Sequence, residues 1–201
     1  MITELIFDVE TKKLFSDITT DDPADLEVSV VSVYKRKLNT LFEEIEGEMR
    51  SFWEQDFSSM WPWFSEADRI IGFNSLKFDV PALRPYAPLT LSALPHFDIM
   101  ELVRQKTGRR IGLSALAKET LGDDKTDVGT NAVLYWAKGD SVSLQKLKTY
   151  CEADVALTRD LYDFGRKNKQ LKFRDKWNNI ATIDIDFSYP IKKEEPQIGL
   201  F

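Results

Sequence analysis

Near the N-terminus two runs read as strands: Leu5-Ile6-Phe7-Asp8-Val9-Glu10-Thr11, and the valine-rich stretch from Leu26 to Tyr34. β-Branched and aromatic residues suit a pleated, half-buried surface, so residues 3 to 9 and 26 to 34 are taken as the first two strands. Whatever follows must pack on a sheet that starts almost at once. Thr40 to Glu43 is read as a short third strand, Arg69 to Phe73 as a compact buried one, and His96 to Asp98 as the end of a fifth. Helical patterns alternate with them. Glu48 to Phe64 carries Met49, Phe52, Trp53, Met60 and Phe64 near helical spacing. Pro81 suits the first turn of a helix that Asp79 caps. Helices are also expected over Leu113 to Leu121, Asn131 to Ala137 and about Ser143 to Lys169, punctuated by Gly108, Gly122 and Gly139. Leu171 to Arg174 and Ile180 to Phe187 flank Asn178-Asn179 as a terminal hairpin. Short strands alternating with helices place the fold in the mixed α/β class.

The 201 residues fit one domain with a small appendage and are ample for a core. No apolar run approaches the roughly 20 residues of a membrane span, and the N-terminus reads directly into a strand without a leader pattern. The single cysteine, Cys151, excludes an internal disulfide framework and agrees with a reducing compartment. A cytoplasmic chain without a membrane partner is the expectation. The formal net charge of -6 argues against a simple nucleic-acid coat protein. It does not argue against a nuclease, whose central carboxylates hold cations that reverse the local sign. Arg166, Lys167, Lys169, Lys172, Arg174 and Lys176 cluster with only Asp175 opposing them, either as a basic footprint or as a solvated helix end.

Three segments carry candidate chemistry. Asp8 and Glu10 are two apart on a strand, so they share one face. They form either a cradle for a divalent cation or a strand ending in solvent, since acids are depleted inside strands. On the long helix, Leu144, Leu147, Cys151, Leu157, Thr158 and Leu161 mark an inward stripe, and Asp154 falls on it with Tyr150 one turn away. A buried charge loses several kcal/mol of solvation unless paired. A metal-binding acid beside a phenol accounts for both residues, and a partly exposed Asp154 paired with Arg159 or a lysine is the alternative. The third segment is Asn74-Ser75-Leu76-Lys77-Phe78-Asp79-Val80-Pro81, where Asp79 is either a third carboxylate beside the sheet or a plain helix cap.

Together and in this order, the segments resemble the DEDD superfamily of 3'-5' exonucleases, in its tyrosine subclass. Asp8-Val9-Glu10-Thr11 is similar to the first motif of that family, Asn74 through Phe78-Asp79 and Pro81 to the second, and Tyr150 through Asp154 to the third. The second is particularly similar to the proofreading exonuclease domains of family B DNA polymerases. The resemblance covers roughly residues 3 to 165. It implies a ribonuclease H-like fold, with a mixed five-stranded sheet flanked by helices, a small C-terminal hairpin and a tail. It also implies that Asp8, Glu10, Asp79 and Asp154 hold two Mg2+ or Mn2+ ions roughly 3.5 to 4 Å apart for hydrolysis of a terminal phosphodiester. Oxygen ligands are what such hard cations prefer. Tyr150 would orient the attacking water, because a free phenol with a pKa near 10 is a poor base at neutral pH. His96 is the only histidine and lies in the wrong segment for the histidine subclass. It is read as structural, and Asp98, with Glu101 three residues on, as half of a capping box.

Thr11, Asn74, Lys77, Arg109 and Arg110 are the candidate substrate contacts, the basic ones for phosphates. The five tryptophans admit base stacking, although packing explains aromatics at helical spacing equally well. The tail Gln197-Ile198-Gly199-Leu200-Phe201 resembles the short peptide that bacterial replication and repair proteins insert into the sliding clamp. Docking of that tail on the chain's own hairpin is the alternative. Residues 1–170 are expected to form the nuclease domain, 171–188 a hairpin appendage and 189–201 the tail. The resulting expectation is an enzyme, a metal-dependent 3'-5' exonuclease on single-stranded DNA or frayed 3' ends, acting in DNA repair or replication. An exoribonuclease uses the same chemistry, and a non-catalytic nucleic-acid-binding scaffold is a further alternative that the four retained acids oppose.

Overall fold

The computed structural model describes residues 1–88, 90–122 and 131–189. One sheet runs in the order β3-β2-β1-β4-β5. Strand β2 (Val28–Leu38) runs antiparallel to both β1 (Ile2–Thr11) and β3 (Glu44–Trp53), while β4 (Arg69–Gly72) and β5 (His96–Asp98) continue the sheet in parallel with β1. Helices α1 (Phe57–Ser65), α2 (Asp79–Leu83), α3 (Ile99–Thr107), α4 (Leu113–Leu121), α5 (Asn131–Lys138) and α6 (Ser141–Asn168) flank it, and β6 (Gln170–Arg174) pairs with β7 (Ile180–Asp184) as a separate hairpin. This is the mixed α/β sheet with a C-terminal hairpin that the sequence leads one to expect.

Alternation along β1 decides where the acids point. Leu5, Phe7 and Val9 pack on one face with Val31, Val33 and the α1 side chains Phe57, Met60 and Phe64. Ile6 packs on the other, with Val155, Leu161 and Tyr162 of α6. Side chains two apart share a face, so Glu4, Asp8 and Glu10 all look toward α6. That helix is held in place at both ends. Asp140 caps its start by accepting the Val142 and Ser143 amides at 3.0 and 2.9 Å. Near its far end, Arg36 reaches buried Glu4 at 2.7 Å and Asp163 of α6 at 2.6 Å, and Tyr162 donates to the same Glu4 at 2.8 Å.

Of the helix expected over 48–64 only the second half forms, as α1, and the short strand at 40–43 does not form. Residues 40–43 make the turn between β2 and β3, where Asn39 Oδ1 accepts the Leu41 and Glu43 amides at 2.8 and 3.0 Å. β3 then runs to Trp53, and α1 starts only at Phe57. The apolar residues of 49–53 have no helical face to bury there, whereas the polar backbone of β2 needs a partner strand. Glu44, Glu46, Glu48 and Arg50 charge this outer strand, which keeps an exposed sheet edge from pairing with other chains. Two smaller expectations also change. Phe78, not Asp79, occupies the cap position of α2, and Asp79 is its first residue. Asp98 does cap α3, accepting the Glu101 amide at 3.1 Å, but the Glu101 carboxylate turns to Arg104 at 2.7 Å instead of closing a box.

Gly108 and Gly122 end α3 and α4 in the left-handed conformation, with φ of 70° and 75°. Leu171, Ile183, Ile185 and Phe187 of the hairpin region share a core cluster with Ile6. Among the described residues, no helix is long and apolar enough to cross a membrane. The clamp-like residues Gln197, Leu200 and Phe201 lie outside the described residues.

Candidate metal centre

Asp8 lies opposite Ser32 and Glu10 opposite Val30 in the β1–β2 ladder, whose register shifts immediately after Glu10. A bulge bends a strand and re-aims the side chains beside it, so the two acids sit where the strand ceases to pair regularly. Helix α6 crosses the face they share. Its fully buried Cys151 places Sγ 3.5 Å from the Asp8 backbone oxygen and 3.7 Å from Asp8 Oδ2. One donor atom from each of Asp8, Glu10 and Cys151 lies within 4.8 Å of the other two.

Asp79 arrives from the opposite side on a tightly folded turn. Asn74 takes the left-handed conformation, φ 64°, and its carbonyl accepts the Lys77 and Phe78 amides at 3.1 Å. A Cβ on Gly72 would stand 2.3 Å from Ser75 Oγ, so glycine lets the turn close against the end of β4. Asp98 clasps the same turn, accepting the Asn74 and Leu76 amides at 2.9 and 3.0 Å while it caps α3. The α2 start is thereby fixed, with Asp79 only 4% exposed and accepting the Val9 amide of β1. On α6, Tyr150 hydrogen-bonds Asp154. Arg159, the alternative partner considered for Asp154, pairs with Asp160 at 2.8 Å and lies over the Tyr34 ring.

Electrostatics tie these side chains into one group. Burial, followed by the charges of Asp79, Glu10 and Asp154, holds the Asp8 carboxyl well above the usual carboxylate range. Glu10 is raised by burial and then by Asp154 and Asp79. Burial, with Asp98 adding to it, pushes Asp79 up to about 7. Tyr150 is pushed above its ordinary value by burial and then by Asp154 and Glu10, so its phenol keeps its proton. Burial and the two β1 acids likewise keep the Cys151 thiol protonated, a donor toward Asp8. Carboxylates crowded this way repel one another until a cation is shared among them. A donor set made mostly of carboxylate oxygens fits a hard divalent ion.

The proposed substrate contacts are less concentrated. Thr11 turns its hydroxyl to the Lys13 carbonyl at 2.9 Å, and Lys77 pairs with Glu101 at 3.6 Å. Arg110 donates to Asn74 Oδ1 at 3.2 Å and so stays beside the turn that carries Asp79. Arg109 instead lies against the hairpin, donating to the Arg174 carbonyl and resting over Phe173. Of the tryptophans, Trp61 belongs to the core, Trp63 meets Phe52 edge-on, and Trp53 stacks on Trp136. Trp177 stands out from the surface. His96 is structural in its contacts: burial keeps the ring neutral, and Nε2 meets the Leu91 carbonyl at 2.8 Å. Sequence reasoning placed Cys151 on the inward stripe but missed its contact with Asp8. The available signal was its position between Tyr150 and Asp154, on the turn of helix facing the first strand.

A family model described as RNase_H superfamily matches residues 5–164. The chain belongs to the ribonuclease H superfamily. Among curated proteins, none matches the sequence significantly. Membership in the ribonuclease H superfamily carries nuclease-type hydrolysis, a nucleic-acid substrate and divalent cations. The matched span ends within α6, ten residues beyond Asp154, and takes in β1, the Asn74–Asp79 turn and the Tyr150–Asp154 segment.

Proposed function

We propose that this ribonuclease H superfamily member is a 3'-5' exonuclease of the tyrosine DEDD type. It would remove terminal nucleotides from single-stranded DNA or frayed 3' ends in the course of repair or replication in the cytoplasm. The observation that carries this reading is the meeting of Asp8 and Glu10 at the β1–α6 contact, their donor atoms within 4.8 Å of each other and of Cys151 Sγ, with Asp79 and Asp154 near enough to raise both carboxyls.

In this reading the four carboxylates hold two Mg2+ or Mn2+ ions. Such ions activate water and stabilise a leaving oxygen. The protein's part is placement. β1 fixes Asp8 and Glu10 on one face, the Asp98 clasp fixes Asp79, and the Cys151 thiol orients the Asp8 carboxylate by donating to it. Tyr150 retains its proton, which suits an orienting hydrogen-bond donor and not a base. Arg110, held at Asn74, would meet a phosphate of the terminal nucleotide in this reading. Residues 1–170 then constitute the nuclease domain, with 171–188 as an appendage. The 189–201 tail is assigned to the sliding clamp through Gln197, Leu200 and Phe201, and a pull-down comparing wild type with Leu200→Ala/Phe201→Ala tests that assignment.

Matched single-stranded DNA and RNA labelled at the 5' end, incubated with Mg2+ or Mn2+, test the main reading. Wild type should produce a ladder shortening from the 3' end, strongest on DNA, and Asp8→Ala should produce none. Internal cuts would indicate an endonuclease, a ladder on RNA alone an exoribonuclease, and binding without cleavage a scaffold.

A further inference from the structure

Between the end of α3 and the β6–β7 hairpin lies a groove of about 510 Å3. We propose that it holds the single strand upstream of the 3' end, stacking a base on Trp177 and pairing phosphates with Lys106, Arg109 and Lys176. The proposal rests on the exonuclease reading above and adds to it a substrate path outside the site.

Three observations support it. The groove alternates cations with aromatic faces: Arg109 rests over Phe173 at 5.6 Å and Lys176 over Trp177 at 4.3 Å. Nucleic-acid single strands offer both a polyanionic backbone and unpaired bases, and the bases stack on aromatic rings whatever their sequence. Second, Trp177 is 71% exposed on a turn that is itself well braced. Asp175 Oδ1 accepts the Trp177 and Asn179 amides at 2.8 and 2.9 Å, so the indole is presented outward from a fixed backbone. Third, the chain links the groove to the turn that carries Asp79. Arg109 lines the groove, and the next residue, Arg110, binds Asn74 on the turn that delivers Asp79.

Two carboxylates also line the groove, Asp175 and Asp184. The first is engaged by the turn amides and faces Arg109, which lowers its pKa further and neutralises part of the cation's field. The balance nonetheless favours cations locally in a chain whose formal net charge is -6. An acidic polypeptide would satisfy the lysines but leave the Trp177 face without a planar partner, so a base-bearing strand fits better.

The test measures binding by fluorescence anisotropy of labelled oligothymidylates of about 16 and about 4 nucleotides, with Ca2+ in place of the activating ion. Wild type is compared with Trp177→Ala and with Lys106→Glu/Lys176→Glu, all surface changes. Each variant should bind the longer strand roughly tenfold more weakly, and the double variant should lower the salt dependence by about two phosphate contacts. Binding of the shorter strand, and hydrolysis of thymidine 5'-(p-nitrophenyl phosphate) under Mn2+, should match wild type. Unchanged affinity of both variants for the longer strand overturns the proposal, as does a wild type that binds neither. Equal competition by polyglutamate, with Trp177→Ala silent, overturns it in favour of a peptide. If no protein hydrolyses anything but the longer strand still discriminates the variants, the groove stands and the exonuclease reading falls.

Discussion

Asp8 is the most constrained carboxyl of the group, because it feels burial and three like charges together. Replacing it with asparagine keeps shape and a hydrogen-bond acceptor for Cys151 but removes one of the repelling charges. Two opposite effects are therefore expected from Asp8→Asn. Nuclease activity should disappear, while the protein in EDTA should unfold at a higher temperature than wild type and gain little from added Mn2+. Thermal melts with and without the ion check the second effect separately from the first, and a lower melting temperature in EDTA would contradict it. Tyr150 presents a different case. Its phenol is protonated and bonded to Asp154, so in the proposed exonuclease it would orient a neighbour and not take up a proton. Tyr150→Phe should lower kcat by about 10- to 100-fold, the usual loss when a partner that orients a ligand is removed. The pH profile should keep its shape. A base role would instead flatten the alkaline limb of the profile.

The C-terminal segment meets α6 at a point that only glycine tolerates. A Cβ on Gly165 would stand 2.1 Å from the Phe187 ring, and Arg69 holds the adjacent backbone through the Phe187 and Ser188 carbonyls at 2.9 and 2.6 Å. Gly165→Ala should expel Phe187 and destabilise the fold by about 1–3 kcal/mol, as overpacking a buried site does. Urea melts measure the loss, and limited proteolysis should cut near residue 187 sooner than in wild type. Contacts of this kind are invisible in sequence, because residues 165 and 187 touch only after the hairpin has folded back. Elements with a long periodic pattern were legible: α6 and α4 follow their stripes, and the glycine stops fall where left-handed φ is needed. β3 was not. Met49, Phe52 and Trp53 suit either period, and the unpaired edge of β2, a tertiary fact, decided between them. In the candidate site, strand spacing put Asp8 and Glu10 on one face and the helical stripe turned Asp154 inward, but only the resemblance joined them with Asp79 into one set. The Asp98 clasp depends on side chains meeting across the fold and no local pattern announces it, while the Cys151 contact had only the position of that residue between Tyr150 and Asp154 as a signal.

Over the whole molecule, one face of β1 joins two opposite electrostatic solutions. At Glu4 a buried carboxylate is answered by Arg36 and two tyrosine hydroxyls, from Tyr162 and Tyr189, so that end is satisfied by the protein itself. At Asp8 and Glu10 the neighbouring charges are carboxylates. This asymmetry predicts how stability depends on pH. Asp79 ionises near pH 4 when unfolded and at about 7 when folded, so between these values the folded state binds the extra proton. Stability in EDTA should then fall as pH rises through that window, by about 1.4 kcal/mol per pH unit for each such carboxyl. His96 works against this trend, since burial lowers its pKa and its contribution is recovered as pH rises. Comparison with Asp79→Asn removes that background: the difference in unfolding free energy between variant and wild type should grow in the variant's favour from about pH 5 to about pH 7. If the proposed site takes Mn2+, the ion binds only the folded, ionised set, so it should stabilise wild type strongly near pH 8 and hardly at all near pH 5. Denaturant melts across this range, with EDTA or Mn2+, measure both slopes. A wild type that gains stability relative to Asp79→Asn as pH rises without metal would mean that the carboxylates are balanced by the protein's own cations, and that they were not gathered around an ion.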